Sequence, residues 1–194
     1  MILPDVHLEL GTDAGVFSPR RLDPGTRLLL DVAPPPPRAG HILDLGCGYG
    51  PLALAAAARA PRARVWAVDV NARALELTRE NATRAGLTNV TSTFPDDQNL
   101  PGQFDLIWSN PPVRIGKDAL HAMLARWLGR LAPEAAAYFV VQRNLGSDSL
   151  QRWLAESGWI AERAAARSGY RVLKVTVAEP PAAVGERGER GETP

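Results

Sequence analysis

Short apolar runs that end at acids or turn residues alternate along this chain with stretches whose apolar positions recur at helical spacing. That alternation predicts an α/β protein. Strands are expected at 42–45 (Ile-Leu-Asp-Leu), 65–68 (Val-Trp-Ala-Val), 90–94, 104–108 (Phe-Asp-Leu-Ile-Trp) and 138–141. An alanine-rich helix over 52–60 follows the first strand, with a glycine-rich turn between them. A second helix opens at Asn71 as N-cap, buries Leu75 and Leu77, and stops at Gly86. Leu120, Leu124, Trp127 and Leu131 mark an amphipathic helix over 118–131, and residues 147–157 form another, ended by Gly158. Near the N-terminus a short extended segment leads to a helix from about Pro24, stopped by the prolines at 34–37. Residues 170–177 alternate as a last strand that pairs back after a turn at Ser168-Gly169. From Glu179 the chain is Pro, Gly, Glu and Arg with nothing to bury. A domain over 1–178, its first 37 residues a cover, and a disordered tail over 179–194 are expected.

With 194 residues, 45% of them hydrophobic, the chain suits one domain with a full core. A net charge of +1 demands no nucleic acid, so such a partner must be argued from local patches. Cys47 is the single cysteine and cannot form an internal disulfide. No leader pattern or membrane-length apolar run is seen, and the expectation is a soluble cytoplasmic protein with no membrane partner and no metal. Oligomeric state is left open.

The chemistry lies in the turn after the first strand, Gly46-Cys47-Gly48-Tyr49-Gly50. Glycines let a ligand lie against the main chain. A dinucleotide loop would read G-x-G-x-x-G and present amides to a pyrophosphate, whereas this one reads G-x-G-x-G and follows Asp44. A carboxylate there repels a diphosphate and attracts an ammonium or a sulfonium. The next strand ends at Asp69, about 20 residues past the loop, where an acid can hold both hydroxyls of a ribose. An amino acid joined to a nucleoside fits both acids, and S-adenosylmethionine is that molecule. Gly46, Cys47, Gly48, Val70 and Asn110 complete the expected cofactor contacts, with Phe17 as a candidate pocket wall. Asp96 either accepts from the adenine amino group or belongs to a solvated loop.

The motifs LDLGCGYG and AVDVN resemble the first two motifs of class I S-adenosylmethionine-dependent methyltransferases. The resemblance implies a Rossmann-like fold: a seven-stranded, mostly parallel sheet with helices on both faces and one antiparallel strand near the C-terminal end.

Ser109-Asn110-Pro111-Pro112 by itself is an ordinary strand-ending turn. After the fourth strand of a chain with both cofactor motifs, it resembles the N/D-P-P-Y/F motif of methyltransferases that act on planar amines. Such an amine is a poor nucleophile because its lone pair is delocalised. If the Asn110 side-chain oxygen and the Pro111 carbonyl each accept one of its hydrogens, the nitrogen is aligned with the methyl group, a positioning effect of up to roughly 7–11 kcal/mol. Pro112 stiffens the turn, and Val113 stands where the motif carries an aromatic.

Together with Gly15-Val16-Phe17-Ser18, Asp23-Pro24-Gly25-Thr26, Asn110 to Lys117 and Gly169-Tyr170-Arg171, these motifs resemble the catalytic domain of the ribosomal RNA small-subunit methyltransferase C family. Full-length members carry two such domains. The resemblance implies methylation of guanine N2 in small-subunit (16S) ribosomal RNA, with the RNA or the small ribosomal subunit as partner. Val113, Arg114 and Lys117 would meet the substrate; Arg20, Arg21 and Arg143 add local charge. The alternatives are a protein glutamine or adenine N-methyltransferase, or a non-enzymatic RNA- or protein-binding module on the same fold.

Overall fold

The computed structural model describes residues 1–13, 22–112 and 115–177. The tail expected at 179–194 lies outside the described residues. Helix α1 is Pro24–Val32, followed by β1 His41–Leu45, α2 Pro51–Arg59, β2 Arg64–Val68, α3 Ala72–Arg84 and β3 Val90–Thr93. Then come β4 Phe104–Ser109, α4 Lys117–Leu128, β5 Leu131–Gln142, α5 Ser147–Glu156, β6 Trp159–Arg167 and β7 Tyr170–Val177. The seven strands form one sheet in the order β3-β2-β1-β4-β5-β7-β6. All pairings from β3 to β5 are parallel, and β7 runs antiparallel to both of its neighbours.

Alternate strand residues feed two apolar layers, because successive side chains leave a strand on opposite faces. Ile42, Val65, Ala67 and Trp108 pack with α1 and α2, through Leu29, Ala53, Ala56 and Ala57. Leu43, Leu45, Val68 and Ile107 pack with α4 and α5, through Leu124, Trp127, Leu128 and Leu154. Strands buried on both sides explain the nearly continuous apolar runs. Among the described residues, no helix is long and apolar enough to cross a membrane.

Two boundaries and one whole strand differ from the sequence expectation. Helix α4 ends at Leu128, and Leu131 instead opens β5 opposite Phe104. It is buried in either role, so helical spacing alone assigns it wrongly. Strand β5 starts well before Tyr138, and its register against β4 shifts between Phe104 and Leu106. Glu134, with φ 62°, lies in that irregular stretch, whose Ala, Pro and Glu residues carry little strand signal. Strand β6 carried no sequence expectation at all: it pairs with β7 alone, and most of its side chains are exposed, so it shows little apolar pattern.

One buried polar side chain ties the glycine turn to the rest. Asn81, fully buried on α3, donates to the carbonyls of Tyr49 (3.0 Å) and Gly11 (2.9 Å) and accepts from the Gly11 amide. Thr78, one helical turn earlier, donates to the Gly48 carbonyl at 3.0 Å. Asn81→Ala should therefore leave several backbone groups without partners and cost about 2–4 kcal/mol, read as a lowered urea midpoint at unchanged slope. An unchanged midpoint would show that these groups find other partners.

Candidate active site

Strand order reverses between β1 and β4. Each strand's following helix goes to a different face, and a crevice opens beyond the strands' carboxyl ends. The Ser109 hydroxyl donates to the Leu45 carbonyl at 2.6 Å and holds the two strand ends together there. The crevice is a cavity of about 740 Å³, within the range of pockets that bind small molecules.

Gly46, Gly48 and Gly50 all have left-handed backbone, with φ of 73°, 57° and 92°. At Gly48 nothing lies within 4 Å of where a Cβ would stand, so conformation and not crowding requires glycine. The Gly46 and Cys47 amides both donate to the Val68 carbonyl, which folds the turn against the end of β2. The turn's Gly48 amide donates to Asp69 Oδ2 at 2.9 Å, and Asp69 Oδ1 accepts from the Asn71 amide at 2.9 Å. The Asp69 carboxylate is thus fixed between the turn and the start of α3.

Asp44 faces the α2 side of the sheet and is only 2% exposed. Its Oδ2 accepts from the Ala53 amide at 2.8 Å, and its Oδ1 has no hydrogen-bond partner among the described residues. Burial pushes the carboxyl up to about 7; the Ala53 amide opposes that rise and the charge of Asp69 adds to it. A buried carboxylate oxygen without a partner at the wall of a cavity is a ready acceptor for an ammonium group. Burial also pushes the Cys47 thiol up, with Asp44 and Asp69 adding, so Cys47 is a packed wall residue rather than a thiolate.

Of the residues expected from sequence, Asp44, Gly46, Cys47, Gly48, Asp69, Val70, Asn110 and Pro112 line this one cavity. Pro111 is buried beside it. Asp96 is exposed and does not line the cavity; its neighbour Pro95 does, with a carbonyl that accepts from Arg126 at 2.7 Å. Lys117 is exposed at the first residue of α4 and is likewise outside the lining. Phe17, Val113 and Arg114, with Arg20 and Arg21, lie outside the described residues. Arg143 is exposed in a short 3-10 turn after β5.

Sequence reasoning missed Asp23, Thr26, Met123 and Arg126, all of which line the cavity. Asp23 caps α1 by accepting from the Thr26 amide at 3.0 Å. The same oxygen accepts from Asn110 Nδ2 at 2.8 Å, and the Thr26 hydroxyl accepts from that nitrogen at 3.0 Å. The Asp-Pro-Gly-Thr run signals a helix cap. Nothing local to it signals a contact more than 80 residues away.

The family model for the methyltransferase small domain matches residues 7–174. Protein YbxB of Bacillus subtilis (strain 168), described as uncharacterized, is 36% identical over 166 residues, covering 84% of this chain and 83% of that protein. Ribosomal RNA small subunit methyltransferase C of Pseudomonas entomophila (strain L48) is 40% identical over 114 residues, covering 59% of this chain and 34% of that protein. The matched stretch thus spans about a third of the relative's length. Among solved structures, the T. thermophilus 16S rRNA N2 methyltransferase RsmC, in complex with AdoMet and guanosine, superimposes with a TM-score of 0.73 at 27% identity. That match covers 84% of this chain and 46% of the other.

The raised Asp44 carboxyl has a measurable consequence. Its ordinary value is 3.8, so between about pH 4 and 7 the folded protein keeps a proton that the unfolded chain releases. Stability should fall as pH rises through that window and level off above it, at a slope of up to roughly 1.4 kcal/mol per pH unit. Urea titrations from pH 5 to 8 should show this slope in the wild type and a smaller one in Asp44→Asn, which mimics the protonated carboxyl. Equal slopes would assign the proton elsewhere.

Proposed function

This chain belongs to the methyltransferase small domain family, and from that premise we propose that it methylates the exocyclic amine (N2) of a guanine in small-subunit (16S) ribosomal RNA. It is an S-adenosylmethionine-dependent methyltransferase by family and fold. We read residues 1–178 as the methyltransferase unit. The observation that carries the proposal is the Asn110 amide, whose nitrogen is engaged by Asp23 and Thr26 at the wall of a cavity that also holds Asp44 and Asp69.

S-adenosylmethionine, when bound, supplies an electrophilic methyl group and leaves as a neutral thioether, so no general acid is needed. In our assignment the free oxygen of Asp44 accepts from the ammonium of its amino-acid end. Asp69, already fixed by two amides, accepts from the ribose hydroxyls. Val70 is 81% exposed and offers an apolar face to the adenine, with Gly46, Cys47 and Gly48 as the floor. The Asn110 oxygen and the Pro111 carbonyl take one hydrogen each from the substrate amine, holding its lone pair toward the methyl group and stabilising the positive charge that develops. Pro112, whose ring carbon lies 3.7 Å from where a Cβ of Gly46 would be, keeps the turn against the glycine loop. Val113, Arg114 and Lys117 are assigned to the RNA side of the site.

The choice of guanine over glutamine or adenine rests on the relatives called ribosomal RNA small subunit methyltransferase C and on the structural likeness to a 16S rRNA N2 methyltransferase. All three acceptors present a planar amine, so the turn alone does not separate them. The test is transfer of labelled methyl groups to 16S rRNA, small subunits and total protein from cells lacking the gene, followed by nucleoside and amino-acid analysis. N2-methylguanosine is the expected product, and Asn110→Ala should bind the cofactor normally yet lose roughly 10²-fold or more in turnover. Methylglutamine or methyladenine as sole product would overturn the guanine assignment, and wild-type turnover in Asn110→Ala would remove that residue from the mechanism.

A further inference from the structure

We infer that Asp23 and Thr26 are positioning residues: the acceptor-only Asp23 carboxylate decides which end of the Asn110 amide faces the substrate and makes that end a stronger acceptor, and the Thr26 hydroxyl takes the amide's second hydrogen. The inference rests on the methyl-transfer reading above and deepens it.

An asparagine amide has two ends of nearly equal size and opposite hydrogen-bonding character. Turned one way, Asn110 offers an oxygen that can accept from an amine. Turned the other way, it offers an NH2 group, which meets the substrate's own NH2 with no acceptor between them. Its chemistry therefore depends on a rotation that packing alone does little to bias. Here the nitrogen faces two acceptors at once, Asp23 Oδ1 at 2.8 Å and the Thr26 hydroxyl at 3.0 Å. A flip would bring the amide oxygen against the Asp23 carboxylate oxygen, acceptor against acceptor. Both neighbours are buried, at 6% and 4% exposure, so water has little room to substitute for them.

The carboxylate is itself held by its surroundings. Asp23 Oδ1 also takes the Thr26 amide, and Asp23 Oδ2 faces the Tyr170 hydroxyl at 3.5 Å. That hydroxyl accepts from Gln142 Nε2 at 2.9 Å, which leaves its own hydrogen for Asp23. Tyr170 reaches this position by lying on Gly25, where a Cβ would stand only 2.6 Å from the ring. The run Asp23-Pro24-Gly25-Thr26 thus supplies, in four residues, a carboxylate, a hydroxyl and the gap for the tyrosine between them.

The charge has an effect beyond orientation. A carboxylate accepting from an amide N–H draws electron density through the amide toward its oxygen, so hydrogen bonds on the two ends reinforce each other. Asn110 Oδ1 then stabilises the positive charge that grows on the attacking nitrogen more than it stabilises the neutral ground state. Asp23 takes no proton and touches no reacting atom, so its effect appears in kcat.

The helix cap and this role can be separated. Asparagine caps a helix about as well as aspartate, so Asp23→Asn keeps α1 while removing the charge. Thr26→Val removes the hydroxyl at similar volume, and Thr26→Ser restores it. The full chain, labelled with 15N in asparagine and assigned through Asn110→Ala, reports the Asn110 side-chain amide directly by NMR. Both of its protons should be shifted and slowly exchanging in the wild type, with those signs lost in Asp23→Asn/Thr26→Val. With S-adenosylmethionine and unmodified 16S rRNA, Asp23→Asn and Thr26→Val should each lower kcat roughly 10- to 100-fold. Cofactor affinity and melting temperature should stay near wild type, and Thr26→Ser should recover most of kcat. In the Asn110→Ala background, Asp23→Asn should cost nothing further.

Unaltered amide signals, wild-type kcat in Asp23→Asn, or equal losses with and without Asn110 would each overturn the inference. Wild-type turnover in Asn110→Ala would instead sink the methyl-transfer reading, and the NMR result would still decide the orientation.

Discussion

The site follows from the reversal of strand order between β1 and β4. Parallel strands connected by right-handed crossovers send their following helices to one face until the order reverses, and then to the other. Here α2 and α4 part on opposite faces, and the carboxyl ends of β1 and β4 are left facing a gap that none of the described helices fills. Among the described residues, Asp44, Gly46, Cys47, Gly48, Asp69, Val70, Asn110 and Pro112 are all on β1, β2, β4 or their following loops. The glycine turn closes one side of the gap and the Asn-Pro-Pro turn the other, with the Ser109–Leu45 hydrogen bond between their roots.

Electrostatics in that gap are costly for folding and suited to binding. Asp44 is buried with one oxygen unpaired among the described residues, close enough to Asp69 to feel its charge. A packed apolar residue at Asp44 would be more stable. An acceptor without a partner is instead what an ammonium group can complete, and proteins commonly hold such locally unfavourable groups at sites of function. The surrounding scaffold absorbs the strain: Asn81 and Thr78 anchor the glycine turn from α3, and Asn71 and Gly48 fix Asp69.

The parts of this arrangement that were legible in the sequence are those written locally. Ile42 to Leu45, the glycines after it and Asp69 lie within about 30 residues and obey short-range rules of strand, turn and cap. Trp159 to Arg167 escaped notice because an edge strand with one neighbour buries little and shows no clear alternation. Leu131 fits a helix by spacing yet opens β5, because burial on a sheet and burial on a helix face leave the same mark at a single position. The general rule that loops after strands meet the ligand points to Asp96, whereas the cavity wall is built by its neighbour Pro95. The contact of Asp23 and Thr26 with Asn110 is long-range in the chain and short only in space, so no periodicity announces it.

In this assignment the Asn110 oxygen, held outward by Asp23 and Thr26, receives a planar amine of the substrate. A crystal structure of the full chain with a non-transferring S-adenosylmethionine analogue and guanosine tests it most directly. The guanine exocyclic nitrogen is expected within about 2.7–3.2 Å of both Asn110 Oδ1 and the Pro111 carbonyl oxygen. Asn110 turned to present its NH2 group to the ligand, or guanosine bound away from this turn, would contradict it.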